Sequence, residues 1–287
     1  MSNGKDVVLA AKKDLESFFK DEVNFSLELE LELELDSKSL HHASVIGTGE
    51  KLRIRFSKDF CLANISEIND LHYFLFVVSH EIAHYLHAHN KHKDESSFES
   101  KSLEAFADFF GSKIMMTILT YGNNFRKLYE KLGFKFHGGE VIDSIGFAFS
   151  DLAESVFNTN SDLYSNRITR VGHCSAGIMS FLDNQFSNTD IKRSMNVLTR
   201  IYSSGKLPII IKSEGNQFFM DPDLIRVSDK IHKDIQGIDI GITKWLKPKF
   251  KIFIGTAYFS TEESRNAYIK AKIDLAQDQG FDIPRLK

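Results

Sequence analysis

The chain has 287 residues, a formal net charge of −3 and only two cysteines, Cys61 and Cys174. That length can bury a core without staples, and two cysteines exclude a disulfide framework. The near-neutral charge excludes a general attraction to nucleic acid or anionic membrane. The opening stretch "MSNGKDVVLAAKKDLESFFK" interleaves acids and has no signal-peptide core. The longest unbroken apolar run, Tyr73 to Val78, falls far short of the roughly 20 residues of a membrane span. A soluble, cytoplasmic protein is expected.

Apolar residues at Val7, Val8, Ala11, Leu15, Phe18 and Phe19 have helical spacing and predict a helix over 6–20. "FSLELELELELD" follows. Its strict apolar/charged alternation predicts a half-buried strand, because a helix would spread the leucines round every side. This strand reads either as a charged sheet edge or as an internal hairpin strand. A turn at Gly47-Thr48-Gly49 leads to a second alternating strand, Leu52 to Phe56. Helical patterns then run from Asn69 to about Gln185. "GKLPIIIKSEGNQFFMDPD" reads as two short strands or a loop, followed by a helix near 221–235 and a terminal helix over 261–279. With 25 Phe and 4 Pro, the interior is expected to be largely helical and aromatic-rich. The weakest boundary, Gly205 to Gly215, divides a core region 1–204 from a C-terminal region 205–287 that packs on it and contributes to recognition. The class is α+β: a small N-terminal antiparallel sheet, a mainly helical core and a C-terminal α/β region.

"SHEIAHYLHAH", residues 79–89, carries the chemistry. On a helix, residues four apart differ by about 40° and one turn, so His80 and His84 project from one face and can converge on one Zn²⁺. Glu81 lies on the same side, placed as general base. A catalytic zinc takes three protein ligands and keeps a position for water. The class that continues HExxHxxGxxH is excluded, since His87 stands at the glycine position and Asn90 at the ligand position. The other source is a glutamate on a following helix. In "LEAFADFFG", Glu104, Ala107, Asp108 and Gly111 form one stripe, and its small residues allow close approach to the metal helix. Glu104 is the expected third ligand. Asp108, one turn on, is the expected acceptor for the spare N–H of a liganding histidine.

HExxH followed by ExxAD about twenty residues later resembles the gluzincin metallopeptidases, and more narrowly the ImmA/IrrE-type and Lit-type phage-exclusion proteases. The resemblance covers roughly residues 45–185. It implies a zincin-like fold and a zinc endopeptidase that cuts a particular intracellular protein, in phage defence or stress regulation. It also implies an extended substrate laid along a sheet edge. "SDLYSNRITRVGHCSAGIMSFL" is similar to a later family helix in which a His-Pro pair precedes an arginine. Arg167 matches that arginine, but Leu163, Tyr164 and Ser165 stand where the His-Pro would be.

Arg167, Arg170 and His173 share one face of that helix, either as a salt-bridged surface or as stabilisers of the oxyanion formed on attack at a peptide carbonyl. Tyr164 is a further donor to that oxyanion. The preferred stabilisers are Arg167, then His173. Of the other histidines, His87 faces the ligand side, His89 and His92 are expected to be solvated, and His72 is expected on a helix surface. Cys61 and Cys174 read as small buried apolar residues. "KWLKPKFK", residues 244–251, reads as a solvated basic rim around a partly buried Trp245. The expected partner is a protein substrate, with no nucleic acid and no membrane. The competing expectation is a metal-binding interaction protein that does not hydrolyse its partner, against which the intact Glu81 argues.

Overall fold

In the computed structural model, residues 2–32, 42–93, 96–135, 137–158, 162–214, 222–238, 241–256 and 277 are described. Strand β1 (Ser2–Asn3) leads directly into helix α1 (Gly4–Ser17). Asn3 caps the helix by accepting from the Asp6 amide, and the Asp6 carboxylate accepts from the Asn3 amide in return. Val7, Val8, Ala11 and Leu15 are buried along the inner face, as their spacing requires.

Strands β2 (Leu29–Leu31), β3 (Ala43–Ile46) and β4 (Arg53–Phe56) form a sheet in the order β2-β4-β3. Helix α2 (Lys58–Leu62) follows, and β5 (Asn64–Ile65) pairs antiparallel with β1. The β3–β4 pair is also antiparallel, but β2 runs parallel to β4, with Leu29 opposite Ile54. Charge fixes that register. Glu30 accepts from Arg55 Nε at 2.7 Å and also from Arg53, so the arginines that alternate along β4 meet the glutamate that alternates along β2. The predicted first strand is shorter than its alternation suggests: 25–28 are not in strand conformation, and 33–36 lie outside the described residues. At the turn before β4, Gly47 and Gly49 have φ of 83° and 57°, backbone that glycine adopts without penalty.

The body is helical: α3 (Ile68–Leu86), α4 (Ser97–Tyr121), α5 (Asn123–Lys131), α6 (Gly138–Ser155), α7 (Arg167–Phe186) and α8 (Ile191–Tyr202). Helix α4 is clamped between α3 and α7 by two glycines. A Cβ on Gly111 would stand 2.9 Å from His80 Cα, and one on Gly177 would stand 2.1 Å from the Phe109 carbonyl oxygen. Only glycine lets these backbones come so close.

The chain beyond 204 continues as α9 (Leu207–Glu214), α10 (Pro222–Ile238) and α11 (Pro248–Ile254). This corrects two expectations. Leu207 to Glu214 is a helix, not a strand or loop: Leu207 and Ile210 lie three apart and face the core, and Pro208 falls in the first turn, where its missing N–H leaves no bond unmade. Among the described residues the C-terminal region is helical rather than α/β, its one strand-like contact being an isolated bridge between Phe19 and Leu246. Leu207, Ile210, Leu246, Phe250, Phe253 and Ile254 share one continuous apolar cluster with α1, α3, α4 and α7. The predicted terminal helix over 261–279 lies outside the described residues, except Gln277. No helix among those described is long and apolar enough to cross a membrane.

Candidate metal centre

The apolar run of α3 buries the helix until its last turns, where the polar residues begin. His80 and His84 lie there one turn apart, with their Nε2 atoms 3.1 Å from each other. Because Gly111 admits the backbone of α3, α4 brings Glu104 onto the same point. Its carboxylate oxygens lie 3.3 Å from His80 Nε2 and 3.4 Å from His84 Nε2. Ligand atoms of these three residues all fall within 4.8 Å of one another.

A second layer holds the first in place. Asp108 is completely buried, and its Oδ1 lies 3.0 Å from His80 Nδ1. That contact turns Nδ1 to the Asp108 carboxylate and Nε2 toward His84 and Glu104. Arg170 grips Asp108 with two bonds, Nε to Oδ2 at 2.8 Å and a terminal nitrogen to Oδ1 at 2.9 Å. It also stands 3.6 Å from Glu104. The guanidinium lies against aromatics, 4.0 Å from the Phe157 ring centroid and 5.0 Å from that of Tyr164.

The electrostatics call for a cation. Burial alone would push the His80 imidazolium down, but Asp108 and Glu104 outweigh it and hold the pKa up, to about 10. Burial opposes the charge on Glu104 and Asp108 too. His84 and His80 nevertheless keep Glu104 well below the ordinary carboxylate range, and Arg170 and His80 keep Asp108 low. Two carboxylates thus face one guanidinium, and a positive charge at the imidazoles, whether a proton or a bound cation, balances the second. Two imidazole nitrogens and one carboxylate are the donor set of catalytic zinc sites, and the residues present fit that ion.

Protein-family models, curated proteins and solved structures yield no match to this chain. What the site can do is read from its own geometry.

Two connected hollows flank the cluster. One, of about 260 Å³, has Phe76, Leu152 and Phe157 on its wall together with His42, Ser155 and Arg170. The other, of about 340 Å³, runs past Ser44, His92 and Ser100. Ala43, Glu81, Glu104 and Tyr164 border both, so β3 forms one rim of a cleft with the histidines midway along it. Glu81 is partly buried on that cleft. The Tyr164 phenol pKa is raised, first by the charge of Glu104 and then by burial, so the hydroxyl keeps its proton.

Other predicted residues lie elsewhere. Arg167 is ion-paired with Glu214 and does not border the cleft; Arg170, one turn on, takes the inward position. His173 is buried where α7 meets α4 and α10, in a hollow shared with Phe106 and Leu224, and its Nε2 has no hydrogen-bond partner among the described residues. Cys61 is buried with its thiol 3.9 Å from the Phe56 carbonyl; burial pushes its pKa up to about 11, and it is not in the ligand cluster.

Two histidines, His72 and His89, correct their expectations, while His92 stays partly exposed. His72 is fully buried, bonded through Nδ1 to Ser144 Oγ at 2.8 Å and through Nε2 to the Tyr129 hydroxyl. His92 pairs with Glu99 at 2.9 Å. His89 is buried, not solvated, because α3 ends at Leu86 and Ala88 turns the chain with φ of 56°. Helical angles do not extend past that reversal. His232, on α10, was not singled out in the sequence. Its signal was available: Leu224, Ser228, Ile231, His232 and Ile235 make one buried helical stripe.

Proposed function

We propose that this protein is a zinc-dependent endopeptidase with a gluzincin-type centre, held by His80, His84 and Glu104. The observation that carries the reading is the convergence of three lone-pair donors on one point, with a separate carboxylate, Glu81, on the cleft beside it. A purely structural zinc has no use for that carboxylate. Zinc, when bound, supplies a Lewis acid that polarises the scissile carbonyl and eases ionisation of water.

The chain's own residues do the rest. Glu81 takes a proton from the water whose oxygen attacks the carbonyl carbon, and returns it to the amine nitrogen as the C–N bond breaks. Tyr164 is the donor to the oxygen that gains negative charge, since it borders both hollows and keeps its proton. Arg170 is committed to Asp108 and orients His80 through it. The edge of β3 offers main-chain groups to an extended peptide, with the Phe76–Phe157 hollow receiving an apolar side chain.

The test is Glu81→Gln, read by mass spectrometry of a proteome-derived peptide library and by zinc content. Loss of cleavage by at least about a hundredfold is expected, with zinc retained. Equal cleavage by the variant, or no cleavage by the zinc-loaded wild type on any peptide or protein, overturns the reading and leaves a binding protein.

A further inference from the structure

A chain of three histidines, beginning with His84 itself, crosses from the metal helix to the C-terminal region. His84 Nδ1 lies 2.7 Å from His89 Nδ1, His89 Nε2 lies 2.8 Å from His232 Nε2, and His232 Nδ1 lies 2.6 Å from the Ser228 carbonyl oxygen. We propose that His89 and His232 form a relay through which α10 fixes the tautomer and aim of His84, making the C-terminal region part of the metal centre. The inference rests on the zinc reading of that centre.

The direction of every bond follows from its last member. A carbonyl oxygen only accepts, so His232 donates from Nδ1, and its Nε2 is bare. His89 must then donate from Nε2, which leaves its Nδ1 bare. His84 must donate from Nδ1, and so presents an unprotonated Nε2 to the cluster. Both relay rings are buried, His89 with 6% and His232 with 1% of its surface exposed. The rings are also clamped. Phe106 stacks on His232 with centroids 3.8 Å apart, and Leu103, Ile231 and Ile235 seat α10 on α4.

The backbone carries an independent mark. Ala88 adopts the left-handed conformation, φ 56° and ψ 39°, which disfavours any residue with a Cβ by about 1–2 kcal/mol. This conformation turns His89 back onto His84, where a continued helix would have carried it away.

The test compares zinc affinity, by competition with a chromophoric chelator, in full-length wild type, His89→Phe, His232→Phe, His232→Gln and the double Phe variant. Each single Phe variant is expected to weaken zinc binding by about 10–100-fold, as loss of a partner behind a ligand typically does. The double variant should be no weaker than His89→Phe alone, because the members act in series. His232→Gln should restore affinity, since its side-chain oxygen accepts where Nε2 did. Unchanged affinity in His232→Phe, or additive losses, overturns the relay. Imidazole ¹⁵N shifts of the wild type decide it without any variant: His89 must carry its proton on Nε2 and His232 on Nδ1, and the opposite tautomers refute it. Wild type that binds no zinc would sink the metal reading, while the ¹⁵N shifts still judge the relay. Zinc bound without hydrolysis would sink only the peptidase reading.

Discussion

Replacing Arg170 by Met keeps an unbranched side chain of similar length and removes the charge. In the native protein that charge neutralises Asp108, which has no exposed surface and takes two hydrogen bonds from the guanidinium. The variant leaves Asp108 buried, with His80 Nδ1 3.0 Å away and no guanidinium to neutralise it. Breaking a buried pair from one side costs about 3–5 kcal/mol. Loss of the cation–π contact with Phe157 at 4.0 Å adds about 1 kcal/mol. Against a total stability of about 5–15 kcal/mol for a typical domain, that is a large fraction. Asp108→Asn with Arg170→Met removes both charges together and should recover much of the loss, by about 2 kcal/mol or more of coupling. Urea unfolding of the chelator-treated proteins measures all four corners of the cycle. The zinc readout separates the partners: Asp108→Asn should weaken zinc about 10–100-fold through His80, whereas Arg170→Met leaves the Asp108–His80 contact intact. If Arg170→Met loses less than about 1 kcal/mol, the loss belongs to the range of exposed pairs, and the buried-pair reasoning is refuted.

Gly111→Ala places a Cβ 2.9 Å from His80 Cα; prying α4 from α3 should cost about 1–3 kcal/mol and weaken zinc, and unchanged urea midpoint and affinity would refute the close-contact account. Tyr164→Phe should lower peptide hydrolysis by about 10²–10³ if it is the oxyanion donor, with zinc content held. Arg167→Ala should leave hydrolysis and zinc unchanged and lower stability by about 1 kcal/mol or less; a collapse of turnover in this variant instead would restore it as the stabiliser. Burial alone sets His72, with a pKa of about 3 in the folded protein against about 6.5 unfolded. Between those values the unfolded chain binds the extra proton, so stability is full above about pH 6.5 and falls by up to about 1.4 kcal/mol per pH unit below it. In His72→Gln that slope should lose about one proton between pH 6 and pH 5, measured by urea midpoints; an identical slope would mean His72 is not held neutral.

The fold was legible wherever one face of an element alone decides its conformation. Val7, Val8, Ala11 and Leu15 announce α1, and Arg53–Phe56 alternates as β4 does. Two kinds of information were not local. Parallel pairing of β2 with β4 depends on which arginines Glu30 meets across the sheet, and alternation carries no direction. The stretch "LPIIIKSE" has an isoleucine run that suits a strand, yet the core needs only Leu207 and Ile210, three apart. Burial chose the helix over propensity.

At the site, the convergence of His80, His84 and Glu104 was legible because these residues sit on helical spacing: four residues for His80 and His84, and a stripe of four for Glu104, Asp108 and the small residues that admit them. The stabilising layer was not. Arg167 and Arg170 are both basic, both on one turn of α7, and equally able to face inward by spacing. The choice is made by Asp108, a buried acid on another helix, 62 residues away in sequence. The histidine relay is further still from local reach. His89 and His232 lie 143 residues apart, and the sequence places His89 on the wrong side as long as α3 is assumed to continue. One left-handed residue, Ala88, reverses that placement. An alanine carries no sequence mark of such a turn, as glycine or asparagine would. What it leaves is energetic. Replacing Ala88 by Gly relieves the conformation without touching a ring, so it should raise stability while leaving zinc affinity intact. Replacing it by Val opposes the turn, and should release His89 from His84 and weaken zinc as His89→Phe does. If Ala88→Val binds zinc like wild type, the turn does not hold the relay, whatever the rings do.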